Sequence, residues 1–202
     1  YIPFWLYSGN CEGSITAEGI NTRTWTSGNY RYTEKKYYSV YRNGTLDFKA
    51  VPVDASSKTD DDAMDSIEPF DYSEMTAFNP GYLSGYLAER YDEDKDKCLP
   101  RAKERIENTT RDELRNTCNY NSVNVQSYEK HTEIKDVKYA MLPTWLLYTT
   151  YQDKPYFFAM NGQTGKFIGN LPISKGKLVA YSLLGGVGGY IIGAILQIMG
   201  IF

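Results

Sequence analysis

The chain has 202 residues, of which 42% are hydrophobic and 23% charged, and its formal net charge is −3. This length fits one domain of ordinary size, alone or with a small appendage. The composition excludes an intrinsically disordered chain and a collagen, and nothing in it indicates a repeat array. Nineteen tyrosines favour pleated, half-buried strands, because aromatic side chains suit that surface.

Residues 1–54 carry the pattern of β-strands. Two runs, residues 15–25 and the tyrosine-rich residues 30–41, flank a turn signal at Ser27-Gly28-Asn29. Asn43-Gly44 predicts another tight hairpin turn, because both residues accept positive φ. We therefore expect antiparallel hairpins in this part of the chain.

The next stretch, about 56–118, has the pattern of helices and predicts a helical insertion. Three acids after Thr59 suit a helix N-terminus, and Asn79-Pro80 suits another. A third helix is predicted around residues 101–117, where side chains of one face recur at four-residue spacing. These side chains are Ala102, Ile106, Thr110 and Leu114. The acidic run 91–97 (YDEDKDK) is expected to be a solvated loop.

The β pattern returns after Asn119 and closes with a hairpin. Its strands, about 155–160 and 166–170, flank the turn at residues 161–165. The predicted fold class is therefore α+β: an antiparallel β-sheet in two halves with a helical insertion, followed by a C-terminal transmembrane helix. The folded domain is expected to span residues 1–174.

The last 25 residues, 178–202, contain no charged side chain. At about 1.5 Å per residue they make a helix of roughly 37 Å, longer than the ~30 Å hydrocarbon core of a bilayer. A buried core helix is the alternative, but six glycines weaken a helix in water more than one in lipid. Residues 175–202 are therefore predicted to be a membrane anchor.

Two features of this tail predict its surroundings. Lys175 and Lys177 precede the span and nothing basic follows it, which places the preceding domain in the cytosol. Gly185, Gly189 and Gly193 form two overlapping G-x-x-x-G pairs, which favour helix packing and homo-oligomers through the anchor.

The residues that usually carry chemistry are sparse. Cys11, Cys98 and Cys118 form an odd, widely spaced set, which fits a reducing compartment and offers no C-x-x-C metal half-site. The one histidine, His131, lies in a polar stretch, where a surface position is expected. The run at residues 162–166 (GQTGK) is too short for a phosphate loop. We therefore expect no enzyme, and no catalytic, cofactor-binding or metal-binding residue in this chain.

Nucleic-acid binding is disfavoured by charge. The sequence pI is near 5.3. Basic residues of the predicted 101–117 helix alternate with acidic ones, which indicates a mixed solvated face instead of a phosphate-binding stripe.

Three runs of the sequence resemble a bacterial family. The runs are residues 51–58 (VPVDASSK), 65–72 (DSIEPFDY) and 158–167 (FAMNGQTGKF). Shorter matches lie at Asp61-Asp62, Met64, Tyr82-Leu83, Gly85-Tyr86 and Arg101-Ala102, and the resemblance spans essentially the whole chain as far as the predicted anchor. They resemble bacterial membrane-anchored proteins labelled "TFIIB-type zinc ribbon-containing", some of which carry a primosomal or helicase-like label. The resemblance implies that this chain is the region downstream of the zinc ribbon. Zinc would then be held by C-x-x-C pairs upstream, and no zinc ligand can be carried over to this chain.

The same resemblance implies partners. Genes of this family lie near those of SPFH-domain proteins and of proteins like phage-shock protein A. This association suggests a platform at the bacterial cell membrane that recruits cytosolic envelope-stress or scaffold proteins.

The expected function is therefore that of a non-enzymatic, tail-anchored adaptor or scaffold, single-pass in the membrane with its folded domain in the cytoplasm. Two alternatives stay open. A nucleic-acid- or primosome-associated protein would need a basic face. A membrane-bound hydrolase would need a pocket of titratable groups around His131 or a buried pair of acids.

Overall fold

The computed structural model describes residues 1–169 and 174–198, which form six β-strands and three α-helices. The first sheet consists of β1 (Ile2–Ser27), β2 (Tyr30–Asp54) and β3 (Ser122–Leu142). Its strand order is β2-β1-β3, and β1 pairs antiparallel with both neighbours. The central strand of this sheet is therefore the first strand of the chain.

β1 and β2 form one long hairpin. The two-residue turn between them places Gly28 at a φ of 59°, which costs glycine little, and glycine in this first position is typical of a type II′ turn. The turn predicted at Asn43-Gly44 is wrong, because these residues lie inside β2, opposite Ser14 and Gly13. Pairing along the whole of β1 outweighs the local turn preference of this dipeptide.

One face of the first sheet is covered by the helix α2 (Lys95–Asn116). The buried residues of α2 follow the four-residue spacing that the sequence predicts, and they are Cys98, Ala102, Ile106, Thr110 and Leu114. Leu114 packs with Ile15, Ala17 and Val40 of the sheet, while Ala102 packs with residues nearer the start of β1. Side chains of a strand alternate between faces, and near the start of β1 the opposite face is buried as well, since Phe4 and Leu6 lie there and Phe4 packs against Phe70 of the insertion.

The covered face ends at Gly19. The ring of Tyr120 lies over this glycine, where an added Cβ would come within 2.6 Å of the ring. Tyr120 also packs against Tyr38, with 5.2 Å between ring centroids. A side chain at residue 19 would displace this ring, so the glycine lets Tyr120 close the end of the core.

The insertion between β2 and β3 contains less helix than predicted. The helix α1 (Asp61–Ser66) follows its N-cap Asp60, whose carboxylate accepts the backbone N–H of Ala63. Asn79-Pro80 begins only a short 3-10 helix, Pro80–Leu83. The predicted capping residues do begin helical segments, but these segments are too short to form long α-helices.

α2 begins earlier than predicted. Asp94 caps the helix by accepting the backbone N–H groups of Asp96 and Lys97, so the helix starts at Lys95 instead of near residue 101. The second half of the acidic run 91–97 is therefore helical, because an acid at the first turn suits the positive end of the helix dipole.

A second three-stranded sheet has the order β4-β5-β6. Its strands are β4 (Thr144–Tyr151), β5 (Lys154–Asn161) and β6 (Phe167–Gly169). Residue 170, the predicted end of the last strand, lies outside the described residues.

The chain divides into two compact units. The first comprises Tyr1–Trp145 and Ala159–Ile168, and the second comprises Leu146–Phe158 and Gly169–Phe202. The first unit holds the first sheet with α1 and α2, and the second unit holds the helix α3 (Lys175–Ile198).

The predicted sheet in two halves is wrong. β3 follows the insertion in sequence, yet it pairs with β1 from Ile2–Leu142 to Ile20–Ser122. The helical insertion therefore separates two strands of the same sheet. The sequence pattern marks where strands lie, but it does not say which distant strands pair.

The predicted C-terminal transmembrane helix is also wrong. In the part of the chain that the structure describes, no helix is both long and apolar enough to cross a membrane. Six of the 24 residues of α3 are glycines, which have no apolar side chain. A prediction based on the absence of charged residues therefore overestimates the hydrophobicity of this helix. The predicted tail anchor at 175–202 and the single-pass bacterial cell-membrane localisation are overturned with it. Residues 171–173 and 199–202 lie outside the described residues.

Arg101 of α2 fixes the insertion to the end of β2. Its guanidinium contacts the carboxylates of Asp54 at 2.6 Å, Asp61 at 2.7 Å and Asp65 at 2.7 Å. The Asp54 side chain is almost fully buried, and the hydroxyl of Thr59 donates a further hydrogen bond to it at 2.7 Å. A buried carboxylate without its cation is costly, so this network holds α1 and α2 together on β2.

We expect Arg101→Ala to lower the free energy of unfolding by about 3 kcal/mol, because Asp54 would stay buried without its cation. Urea unfolding followed by tryptophan fluorescence measures this change. The matched control is Arg111→Ala on the same helix, whose ion pair with Asp112 is exposed and whose removal should change stability by less than about 0.5 kcal/mol. Equal effects in the two variants would contradict a special role for Arg101.

Candidate interaction surface

β1 and β2 extend past Ser122, the first residue of β3, and continue there as a two-stranded ribbon. The last β1–β3 pair is Ile20–Ser122, whereas the β1–β2 ladder runs on to Ser27–Tyr30. We call residues 21–36 the ribbon, and every residue from 22 to 36 is exposed. Two strands alone are marginally stable in water, so the ribbon is held less firmly than the rest of the sheet.

Aromatic side chains occupy one face of the ribbon. Trp25 and Tyr32 lie directly opposite each other, with their rings stacked at 5.6 Å between centroids and 15° between planes. The guanidinium of Arg23 lies 5.8 Å from the centroid of the Trp25 ring. Tyr30 is 72% exposed. This is the same face that α2 covers further along the sheet, and here it is open to solvent.

The ribbon is basic although the chain as a whole is acidic. It holds four basic residues and one acidic residue. The basic residues are Arg23, Arg31, Lys35 and Lys36, and the acid is Glu34, which forms an exposed ion pair with Lys36 at 3.6 Å. By the strand register, Arg31 and Lys35 lie on the face opposite Trp25. The aromatic pair is therefore flanked by positive charge on both faces.

The second surface is an apolar cleft of about 410 Å³ in the first unit. Its walls are the segment 74–83 of the insertion and the last residues of β3. The lining includes Met75, Phe78, Tyr82, Tyr139 and Met141, and Glu74 contributes a carboxylate. Because β3 residues 139–142 pair with the first residues of β1, this cleft, which we call the apolar cleft, lies at the end of the first sheet away from the ribbon.

Tyr139 forms an aromatic wall of the apolar cleft. Its ring packs edge-on against Trp5 at 5.3 Å and against Tyr91 at 5.6 Å between centroids. Burial, with a smaller effect of Tyr91, raises the pKa of Tyr139 above its ordinary value, so its hydroxyl stays neutral at physiological pH. The wall therefore offers a neutral aromatic surface to a partner.

Asn161 holds the turn next to the cleft. Its fully buried side chain donates to the carbonyls of Ile67 and Pro69, both at 3.0 Å, and accepts the backbone N–H groups of Gln163 and Thr164. The GQTGK run thus forms a structural turn docked on the insertion. The backbone amides of this run are therefore used within the fold.

The cleft lies in the acidic part of the chain. Residues 54–97 hold 13 acidic residues and four basic ones. Two hydrogen bonds tie this segment to the start of β1: the Trp5 indole donates to the Glu93 carbonyl at 3.0 Å, and the Tyr7 hydroxyl donates to the Lys95 carbonyl at 2.6 Å. The first sheet therefore has a basic aromatic ribbon at one end and an acidic segment with an apolar cleft at the other.

The residues singled out by sequence lie elsewhere. His131 is exposed on β3, opposite Glu12, and it does not line the cleft. Within residues 1–169 and 174–198, no group of three or more His, Cys, Asp or Glu residues is placed to hold a metal ion.

The tail residues named from sequence lie in α3. The membrane-flanking role predicted for Lys175 and Lys177 is lost with the predicted span. Gly185, Gly189 and Gly193 recur at four-residue spacing in α3, and an added Cβ at each would meet no described atom within 4 Å. Their role in helix packing stays a prediction.

Sequence reasoning left the residues of the ribbon and the cleft unnamed. The signal for the ribbon was present, because arginine and lysine alternate with tryptophan and tyrosine over residues 21–36. The sequence pattern does not show that the pairing of β3 with β1 stops at Ser122 and Ile20, and this pairing decides where the hairpin loses its third strand. The cleft residues come from segments far apart in sequence, and no local pattern joins them.

The chain is similar to "Uncharacterized protein YdjG" of Bacillus subtilis (strain 168), with 39% identity over 182 residues. The match covers 90% of this chain and 53% of YdjG, so the chain spans about half the length of this relative. No family model and no solved structure matches the chain. The zinc-ribbon resemblance and the partners that it implies therefore stay predictions.

We expect the amides of residues 22–36 to exchange with solvent faster than those of residues 45–53. Both segments include the edge strand β2, but only the second lies in the part of the sheet that packs against α2. Hydrogen exchange read by mass spectrometry makes the comparison within one protein. Equal protection of the two segments would contradict a free-standing ribbon.

We expect the thiols of Cys11, Cys98 and Cys118 to react slowly with an aqueous disulfide reagent at neutral pH. All three are free and buried, and burial, with a smaller effect of Glu93, raises the pKa of Cys98 to about 11. The thiolate is the reactive form, so little of Cys98 is reactive near neutral pH. In urea all three should react at once, and a fast-reacting thiol in the folded protein would be the contrary result.

Proposed function

We propose that this chain is a non-enzymatic adaptor or scaffold that binds other proteins through the ribbon. One observation carries the proposal: the sheet extends a two-stranded, aromatic and basic element into solvent. Trp, Tyr and Arg are the side chains that contribute most to protein–protein contacts, and the ribbon concentrates all three.

The ribbon is poorly explained by stability alone. Core aromatics of this chain, such as Tyr7 and Phe4, are almost fully buried, whereas Trp25 and Tyr30 are left 43% and 72% exposed. An apolar ring gains its transfer free energy only when it leaves water, so these side chains gain most by being covered by a partner. The stacked Trp25–Tyr32 pair is also already ordered, which lowers the entropy lost on binding.

The proposed partners follow from the resemblance described above. Zinc-ribbon proteins of that family lie in gene neighbourhoods with SPFH-domain and phage-shock-protein-A-like proteins, and we propose proteins of these two kinds as binding partners. The charge of the ribbon adds a physical criterion, because a basic contact element selects an acidic partner surface.

Single-stranded nucleic acid is a second candidate ligand. Aromatic rings that stack on bases, beside arginines that contact phosphates, are the usual elements of such sites, and Trp25, Tyr32 and Arg23 supply both. The net negative charge of the chain, with a sequence pI near 5.3, disfavours this function.

The test compares two double variants of the full chain. Trp25→Ala/Tyr32→Ala removes the stacked pair, while Trp145→Ala/Tyr181→Ala removes two exposed aromatics outside the ribbon, which are 64% and 69% exposed. Affinities for purified SPFH-domain and phage-shock-protein-A-like proteins are measured by calorimetry. We expect the ribbon variant to lose at least about 2 kcal/mol of binding free energy and the control variant to lose little.

Two results would count against the proposal. If neither partner protein binds the unaltered chain, the partner assignment fails. If both variants bind equally well, the ribbon is not the contact element. A parallel titration with single-stranded DNA separates the second candidate, since tight binding that weakens steeply with salt would favour nucleic acid over protein.

A further inference from the structure

We propose that the ribbon of one copy binds the apolar cleft of a second copy, so that the chain associates head to tail. This inference rests on the proposed function, because it uses the same ribbon as the contact element. It adds a specific partner, namely a second copy of this chain, and a specific receiving surface.

One copy cannot bring its own ribbon to its own cleft. The ribbon contains the last residues of β1, whereas the cleft residues 139–142 of β3 pair with the first residues of the same strand. β1 has 26 residues, which at roughly 3.3 Å per residue separate its two ends by many tens of ångströms. A continuous strand fixed between two neighbours does not fold back on itself, so contact between the two surfaces requires a second molecule.

The two surfaces are complementary in charge. The ribbon holds four basic residues and one acid, whereas the described residues that line the cleft include the carboxylate of Glu74 and no lysine or arginine. The surrounding segment 54–97 is also acidic, with 13 acids and four bases, and only part of this excess is neutralised by Arg101 and Arg105 of α2, which pair with Asp54, Asp61, Asp65 and Glu68. Opposite charges at the two ends of one sheet attract between copies aligned end to end and repel between like ends.

The two surfaces are also complementary in chemistry. The cleft is lined by Met75, Phe78, Tyr82 and Met141, whose thioethers and ring faces suit an incoming aromatic ring. Its volume of about 410 Å³ lies in the range of pockets that enclose a large side-chain cluster. Tyr30 and Trp25 are ribbon side chains that such a site would cover, since they are 72% and 43% exposed, and the carboxylate of Glu74 suits a basic neighbour such as Arg23.

The arrangement has a consequence for assembly. A contact between two unlike surfaces leaves one ribbon and one cleft unfilled at the two ends of each pair. Such a heterologous contact adds further copies, either as an open chain or as a ring when the rotation between copies closes. In such an assembly every ribbon but the terminal one is covered by a neighbouring copy, so self-association and partner binding through the ribbon compete.

The test uses charge exchange between the two surfaces in the full chain. The ribbon variant is Arg23→Glu/Arg31→Glu, and the cleft variant is Glu74→Lys. The control is Arg111→Glu/Lys135→Glu, which makes the same change in net charge on exposed parts of α2 and β3. Self-association is measured by sedimentation velocity over a range of protein concentrations at about 0.01 M and about 0.15 M ionic strength.

We expect the unaltered chain and the control to associate, more strongly at the lower ionic strength. The ribbon variant and the cleft variant should each associate at least roughly tenfold more weakly, because like charges then face each other. Mixing these two variants should restore association, because each ribbon then meets a cleft of opposite charge. This rescue cannot arise from misfolding of either variant.

Three results would overturn the inference. The first is an unaltered chain that is monomeric, and the second is a mixture of the two variants that does not associate. The third is association that is lost in the ribbon variant but kept in the cleft variant, which would indicate contact between two ribbons. A monomeric chain whose partner binding still depends on Trp25 and Tyr32 would leave the proposed adaptor function standing. If the ribbon affects neither self-association nor partner binding, both proposals fail.

Discussion

The constraint on which the rest of the structure depends is the position of β1 between β2 and β3. A strand of 26 residues that pairs on both sides fixes the register of every other element in the first unit. α2 covers the part of the sheet where all three strands are present, and its buried residues follow that part of β1. Beyond Ser122, the first residue of β3, neither β3 nor α2 covers the hairpin of β1 and β2, and it continues as the exposed ribbon.

The residues that stabilise the fold and the exposed residues of the ribbon lie in different parts of the first sheet. The buried ion pairs of Arg101 and the two core clusters lie where the sheet has three strands and a covering helix. The ribbon lies outside that region, so its side chains can change without removing a core contact. Charge follows the same division, because the bases of the ribbon stand apart from the acids of residues 54–97. An exposed surface that carries its own charge fits the contact role that we propose for the ribbon.

The sequence predicts local features of this fold well and distant ones poorly. The turn at Gly28, the cap at Asp60 and the buried stripe of α2 depend on neighbouring residues, and each lies close to where its pattern placed it. The pairing of β3 with β1 depends on residues far apart, which no local pattern records. Asn43-Gly44 shows the conflict directly, since a strong turn signal gives way to strand pairing.

The tail shows a different kind of error. Residues 178–202 are uncharged, and this was read as apolar, but glycine contributes neither charge nor side-chain surface. A criterion based on the lack of charge therefore treats glycine as if it were leucine. The ribbon stayed unnamed for another reason, because strands rich in tryptophan and tyrosine serve a core and a contact surface equally well, and only the pairing with β3 decides between the two.

The three runs that carry the zinc-ribbon resemblance meet in the folded chain. Asp54 of the first run and Asp65 of the second both bind Arg101, and Asn161 of the third binds the backbone of the second run at Ile67 and Pro69. These distinctive residues are therefore used to hold the insertion against the sheet.

A sequence signature made of such contacts reports how this end of the molecule folds. The ribbon lies outside all three runs. The resemblance therefore suggests partners only through gene neighbourhood, and the residues that would contact them have to be argued from the ribbon and the cleft.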